Sequence, residues 1–186
     1  GPLPPGCLQT VWRDDDRFVK TYWSTVPGKM VYSTFDWAVR DEDGYYFILG
    51  RTDDVINVAG HRLGTREIEE SIASHPNVAE VAVVGVADAL KGQVAMAFVV
   101  AKDATGLIDA AARLKLEGEI MKVVDNSLGA VARPARVRFV AVLPKTRSGK
   151  LLRRAIQAVC EGRDPGDLTT MDDPTALLQI SDLVKA

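Results

Sequence analysis

The sequence lacks the features that mark membrane proteins and disulfide-bonded scaffolds. Only two cysteines occur in 186 residues, and Cys7 and Cys160 form no CxxC pair, so neither a disulfide framework nor a zinc site is indicated. No stretch approaches the ~18 consecutive apolar residues of a membrane-spanning helix. The first residues also lack the basic and apolar regions of a signal peptide. These absences predict a cytoplasmic protein with reduced thiols and no membrane span.

Several common catalytic signatures are missing as well. The sequence has no G-x-G-x-x-G dinucleotide fingerprint, no GxxxxGK[ST] phosphate loop and no G-x-S-x-G nucleophile elbow. His61 and His75 have no partner at the spacing of metal ligands, and a lone histidine is more often a structural hydrogen-bonding residue than a ligand. We therefore expect no self-sufficient catalytic triad and no metal centre.

Acidic residues are absent from one long stretch. Residues 126–160 contain no Asp or Glu but eight of the 23 cations, so the remainder of the chain has 15 cations against 25 acids. Such a segment can focus positive potential onto an anionic partner, or it can be a solvated helix-and-strand face. Its cations are Arg133, Arg136, Arg138, Lys145, Arg147, Lys150, Arg153 and Arg154.

The pattern of elements changes near residue 51. The composition, 47% hydrophobic and 26% charged, is that of a globular protein. Before residue 51, aromatic-rich segments predict short strands at 3–12, 30–39 and 45–50, with a short helix over "DRFVKTYW". Three such strands are marginal as an independent domain, so we expect their partners in chain that precedes residue 1.

After residue 51, helices and strands alternate. "DVINVAGHRL" predicts two short strands around a glycine turn, and Thr65 is expected to cap the next helix. Further strands are predicted at 78–86, at 93–101 and over "RVRFVAVL", with a long helix before the last and another helix after Lys150. The predicted fold class is α+β, a small domain with about a three-stranded sheet and packed helices, preceded by a strand-rich remnant.

Three segments carry a resemblance to a known family. "GRTDDVINVAGHRLGT" (Gly50–Thr65) resembles the hinge-and-loop signature of the AMP-forming acyl-CoA synthetases, which are adenylate-forming enzymes. "PKTRSGK" (Pro144–Lys150) resembles their catalytic-lysine signature. "YSTFDW" resembles their ribose-binding aspartate segment, which commonly reads Thr-Gly-Asp, although Phe35 stands here in place of the glycine. The phrase "EGRDPGDLTT" is most similar to the propionate-activating members of the acetyl-CoA synthetase branch.

The resemblance implies a division into four parts. Residues 1–50 would end the N-terminal adenylation domain, and 51–54 would form a hinge containing Asp53. Residues 55–162 would be the mobile C-terminal domain, and 163–186 the C-terminal tail. The Asp- and Pro-rich composition of that tail predicts a loosely packed loop followed by a terminal helix. The resemblance also implies that the mobile domain rotates between two reaction steps.

The same resemblance assigns roles to individual residues. Lys150 is implied as the catalytic cation of adenylation, because a preplaced charge stabilises the negative charge of the transition state; otherwise it is a solvated lysine at a helix start. Lys150 is also implied as a site of reversible acylation, by a protein acyltransferase and a deacylase. The implied nucleotide contacts are Asp36, Arg51 and Arg62, and the implied coenzyme A contacts are Gly60, His61 and Arg62.

One position departs from the family pattern. Where the acetyl-CoA synthetase branch can place an arginine for the 3′-phosphate of coenzyme A, this chain has Asp125. We expect that contact to come from elsewhere, with Lys122 and Arg133 as the candidates.

The resemblance implies an acid–CoA ligase that joins propionate or a similar short-chain acid to coenzyme A through an acyl adenylate. ATP with Mg²⁺ and coenzyme A would be substrates, with no tightly bound cofactor and no nucleic-acid or membrane partner. Two alternatives stay open at this point, a relative that loads a carrier protein and a module that binds nucleic acid through the basic stretch. The 186 residues alone are expected to be inactive in adenylation.

Overall fold

The computed structural model describes residues 6–107 and 109–185. The chain forms two compact units, Gly1–Thr52 and Asp53–Ala186. The first unit contains helix α1 (Asp15–Tyr22) and an antiparallel pair of strands, β1 (Asp36–Arg40) and β2 (Tyr46–Arg51). Asp14 caps α1 because its carboxylate accepts the N–H of Arg17 at 3.1 Å.

One strand predicted in the first unit does not form. Over the described part of the 3–12 segment, residues 6–12, the backbone is irregular rather than extended in a sheet. A strand needs a neighbour for its N–H and C=O groups, and the two-stranded sheet consists of β1 and β2. The side chains of Val39, Tyr46, Phe47 and Ile48 on that sheet are exposed.

The second unit is built on a mixed sheet. Its strands are β3 (Val55–Val58), β4 (His61–Gly64), β5 (Val78–Asp88), β6 (Gly92–Ala101) and β7 (Arg136–Phe139). The order is β4-β3-β6-β5, and β7 pairs with β6 in parallel while all other pairs are antiparallel. The predicted α+β class is confirmed, with five strands in place of about three because the hairpin β3–β4 joins the same sheet.

Helices cover both faces of this sheet. They are α2 (Thr65–Ala73), α3 (Ala110–Leu128), α4 (Arg153–Cys160) and α5 (Thr175–Lys185). Alternate residues of a strand point to opposite faces, so Val83 and Val99 pack with α2 and α3. Phe98 of β6 belongs to the opposite cluster, which includes Ile156 of α4 and Ile180 of α5. The result is a three-layer arrangement with two separate cores.

Two local predictions were wrong. Thr65 does not cap α2: it is the first helical residue, is 2% exposed, and its hydroxyl has no hydrogen-bond partner among the described residues. Gly64 occupies the capping position instead. The terminal helix predicted in the tail forms as α5, but the tail is not loosely packed, because Ile180 is fully buried in the cluster on that face of the sheet. An amphipathic α5 supplies apolar surface that α4 and the sheet need on that face.

Candidate functional site

Lys150 lies on a closed turn, which we call the lysine turn (residues 145–151). The N–H of Thr146 donates to the C=O of Lys150 at 2.9 Å, and the N–H of Gly149 donates to the C=O of Thr146 at 2.8 Å. Gly149 has φ +82°, the left-handed conformation that such a three-residue loop requires of its last residue. The hydroxyl of Thr146 accepts the N–H of Lys150 at 3.1 Å. The turn therefore fixes the backbone at Lys150, while the side chain is exposed.

The residues after the lysine turn are tied to the sheet by a buried ion pair. The guanidinium of Arg153, at the start of α4, donates to both carboxylate oxygens of Glu69 at 3.1 and 2.6 Å. The same carboxylate accepts the N–H of Val83 in β5 at 2.8 Å. The sequence offers no signal for this pairing of Glu69 with Arg153, which spans 84 positions.

A second turn carries Gly60. Ala59 and Gly60 connect β3 to β4 with φ of +51° and +85°, the pattern of a tight two-residue hairpin. His61 and Arg62 follow on β4 and are exposed. The N–H of Ala59 donates to the C=O of Lys91 at 2.9 Å, which joins this turn to the β5–β6 turn. The structure thus places the three residues implied for coenzyme A on one exposed hairpin.

A cavity of about 120 Å³ lies beside the Gly60 turn. Lys91 of the β5–β6 turn and Arg133 of the α3–β7 connection both line it. Ala59 and apolar residues of β6 and of that connection complete the lining. The guanidinium of Arg133 binds Asp125 in a fork, at 2.7 and 2.6 Å. This carboxylate raises the pKa of Arg133 above its usual value. Of the two candidates for the 3′-phosphate, Arg133 lines the cavity, whereas Lys122 is an exposed residue of α3.

Asp36 and Arg51 lie together in the first unit. Arg51 Nη1 is 4.0 Å from Asp36 Oδ1, and it donates to the C=O of Thr34 at 3.4 Å. Phe35 has φ +61°, so it holds the left-handed backbone that glycine favours where the family commonly reads Thr-Gly-Asp. Its ring lies 5.7 Å from the guanidinium of Arg51. The backbone conformation suited to glycine is present even though the glycine is not.

Asp53 begins the second unit. Its backbone belongs to a 3₁₀ turn, Thr52–Asp54, directly before β3. Its side chain lies outside the part of the chain that the structure describes. The hinge role implied for Asp53 stays a prediction.

Across residues 6–107 and 109–185, no group of three or more His, Cys, Asp or Glu is arranged to hold a metal ion. No helix described there is long and apolar enough to cross a membrane. Burial raises the pKa of the Cys160 thiol to about 11, with a smaller contribution from the Glu161 carboxylate, so this cysteine is a poor nucleophile at neutral pH.

The chain is similar to known enzymes along its whole length. Residues 67–150 match the AMP-binding enzyme C-terminal domain family. A propionate–CoA ligase of Salmonella typhimurium is 68% identical over 185 residues, which cover 100% of this chain and 29% of the relative. The propionate–CoA ligase of Escherichia coli is 70% identical over 180 residues, covering 97% and 28%. The chain therefore spans less than a third of the length of these curated relatives.

A solved structure supports the fold. Acetoacetyl-CoA synthetase from Streptomyces lividans superposes with a TM-score of 0.74, at 23% identity, over 92% of this chain and 25% of its own.

Proposed function

Since the chain belongs to the AMP-forming acyl-CoA synthetases, we propose that it is the C-terminal part of an acid–CoA ligase that acts on propionate. The carboxylate of the acid attacks the α-phosphate of ATP, supplied as its Mg²⁺ complex, which forms an acyl adenylate and releases pyrophosphate. The enzyme then transfers the acyl group to coenzyme A and releases AMP. The identity to propionate–CoA ligases supports propionate as the acid, and these substrates suit a cytoplasmic location.

The observation that carries the proposal is the lysine turn. Lys150 presents an exposed ammonium on a backbone fixed by three hydrogen bonds within the turn. Such a charge, held in place before the reaction, stabilises the negative charge that spreads over the phosphoryl group during adenylation. Residues of this chain therefore provide and position the charge, whereas the bonds that form and break belong to the acid and ATP.

We propose that the Gly60 turn serves the second step. His61 and Arg62 stand next to a glycine whose missing side chain leaves open space, since a Cβ built there meets no atom within 4 Å. A pantetheine chain can approach the backbone closely at such a position. Arg133 and Lys91 at the neighbouring cavity provide cations for the phosphates of coenzyme A. Thioester formation then uses a different surface of the same compact unit.

Reversible acylation of Lys150 is a further part of the proposal. Its ammonium is exposed, so an acyltransferase can reach it and a deacylase can restore it. Acylation removes the positive charge that the adenylation step needs. Modification of this residue would therefore switch off the first step.

The carboxylates around the basic stretch (residues 126–160) do not favour the alternative of nucleic-acid binding. Lys145 and Arg153, two cations of that stretch, bind the carboxylates of Glu80 and Glu69 respectively. Cations paired in this way contribute little to a continuous positive surface for nucleic acid. The identity to CoA ligases favours coenzyme A over a carrier protein as the acceptor of the acyl group.

The test separates the two half-reactions in the full-length enzyme. We expect Lys150→Ala to slow adenylation of propionate by ~10²–10³-fold and to leave thioester formation from propionyl-AMP unchanged. Lys115→Ala, a cation 80% exposed on α3, serves as the matched control and should affect neither step. Equal rates for Lys150→Ala and wild type in pyrophosphate release would refute the assignment.

A further inference from the structure

The lysine turn is held from outside by a segment distant in sequence, which we call the brace (residues 168–172). The N–H of Arg147 donates to the C=O of Thr170 at 3.1 Å, and the N–H of Asp172 donates to the C=O of Lys145 at 2.9 Å. Between these bonds Thr146 and Met171 face each other as an antiparallel bridge. The brace therefore pairs with residues 145–147, the first three residues of the lysine turn.

The brace is itself anchored in a small apolar cluster with α4 and α5. Met171 is 5% exposed and packs with Ala155 of α4 and Leu177 of α5. The N–H of Met171 also donates to the C=O of Leu168 at 2.9 Å. Because Met171 is both buried and paired with Thr146, a shift of the brace would move the lysine turn with it.

The ammonium of Lys150 has no anchor of its own. In the part of the chain that the structure describes, it forms no hydrogen bond or ion pair, whereas the ammonium of Lys145 binds Glu80 Oε2 at 2.6 Å. The position of the Lys150 charge is thus set by the backbone of its turn. A displacement of about 1 Å from productive geometry can cost ~10²-fold in rate, so whatever holds that backbone affects the step that uses the charge.

We propose that the brace is a positioning element for Lys150 in adenylation. The inference rests on the proposed function, because it needs Lys150 to act in that step. It assigns to residues 168–172 a role in the rate of one half-reaction beyond their share in folding. Met171 is the positioning residue, acting through Thr146.

The experiment compares two truncations in one apolar cluster of the full-length enzyme. Met171→Ala removes the anchor of the brace, and Leu177→Ala removes a similar apolar volume from the same cluster at a residue of α5, outside the brace and the lysine turn. Both are expected to lower the melting temperature. We expect only Met171→Ala to slow adenylation selectively, by about tenfold or more, with thioester formation from propionyl-AMP within about twofold of wild type. Met171→Leu, which keeps the volume, should restore adenylation.

A second variant covers the case in which Met171→Ala does not fold. Asp172→Pro removes the single N–H that the brace donates to Lys145, at an exposed position, and should give the same selective loss. Equal loss of both half-reactions in the Met171 and Leu177 variants, or an unchanged adenylation rate in folded Asp172→Pro, would overturn the proposal. Lys150→Ala is measured alongside: if it adenylates normally, the proposed function fails instead.

Discussion

The ion pair between Glu69 and Arg153 gives a sharp test of how the second unit is held together. Glu69→Gln keeps the shape of the side chain but removes the charge that faces the guanidinium. Glu69 is 11% and Arg153 27% exposed at the side chain, so the pair is largely shielded from water. Removing one partner of a buried pair costs roughly 3–5 kcal/mol. Because Arg153 keeps some contact with solvent, we expect the low end, about 3 kcal/mol.

The assay can follow the two units separately. All three tryptophans, Trp12, Trp23 and Trp37, belong to the first unit, whereas four of the five α-helices in the described part of the chain belong to the second. A loss of about 3 kcal/mol should lower the circular-dichroism melting temperature by roughly 10 °C. The tryptophan fluorescence transition should stay where it is if the units unfold independently.

The neighbouring residue provides the control. Glu70→Gln makes the same chemical change one position along α2, in a pair with Arg66 whose side chains are 72% and 75% exposed. An exposed pair at this spacing is worth about 0.3–0.5 kcal/mol. If Glu69→Gln melts within 2 °C of Glu70→Gln, the Glu69–Arg153 pair does not hold α2 and α4 to the sheet, and the reasoning is refuted.

Three further predictions concern function and reactivity. In the full-length enzyme Asp53→Pro, which fixes φ at the proposed hinge, should spare one half-reaction and abolish the other; equal loss of both in a folded protein would mean a structural role only. Arg133→Ala should raise the KM for coenzyme A by about tenfold, as expected for one charge-assisted hydrogen bond, while Lys122→Ala should leave it unchanged. With a thiol pKa of about 11, Cys160 should alkylate slowly at pH 8, where about one thiol in a thousand is ionised, and faster as the pH rises towards 11; rapid labelling at pH 8 would contradict its burial.

Local patterns predicted most of the elements of the second unit. The run of valines in residues 78–86 predicted β5, and the four-residue spacing of Leu116 and Ile120 predicted α3. The glycine turn in "DVINVAGHRL" was predicted as well. The number of strands in the sheet was nevertheless underestimated, because nothing in the sequence near β3 indicates that Val58 pairs with Gly92 of β6.

The missed features depend on contacts between distant residues. Thr65 has the side chain of a capping residue, but the helix starts one position earlier and buries its hydroxyl. The sequence of the tail is polar and contains prolines, yet Ile180 and Met171 are buried in two apolar clusters that also include residues of α4. At the candidate site, the residues around Lys150 and Gly60 came from the family resemblance. Glu69, Lys91 and the brace came only from the fold.

The single parallel pair in the sheet has a consequence for the order in which the chain folds. The hairpins β3–β4 and β5–β6 close over turns of a few residues, whereas β7 can pair with β6 only after the whole of α3 has crossed the sheet. Closing a long loop carries a larger entropic cost than closing a short one, and non-local pairings form slowly. We therefore expect the Gly60 hairpin to acquire protection from hydrogen exchange before the lysine turn, which pulse labelling during refolding would resolve. The two turns that we propose for successive chemical steps would then fold one after the other, in the reverse order of those steps.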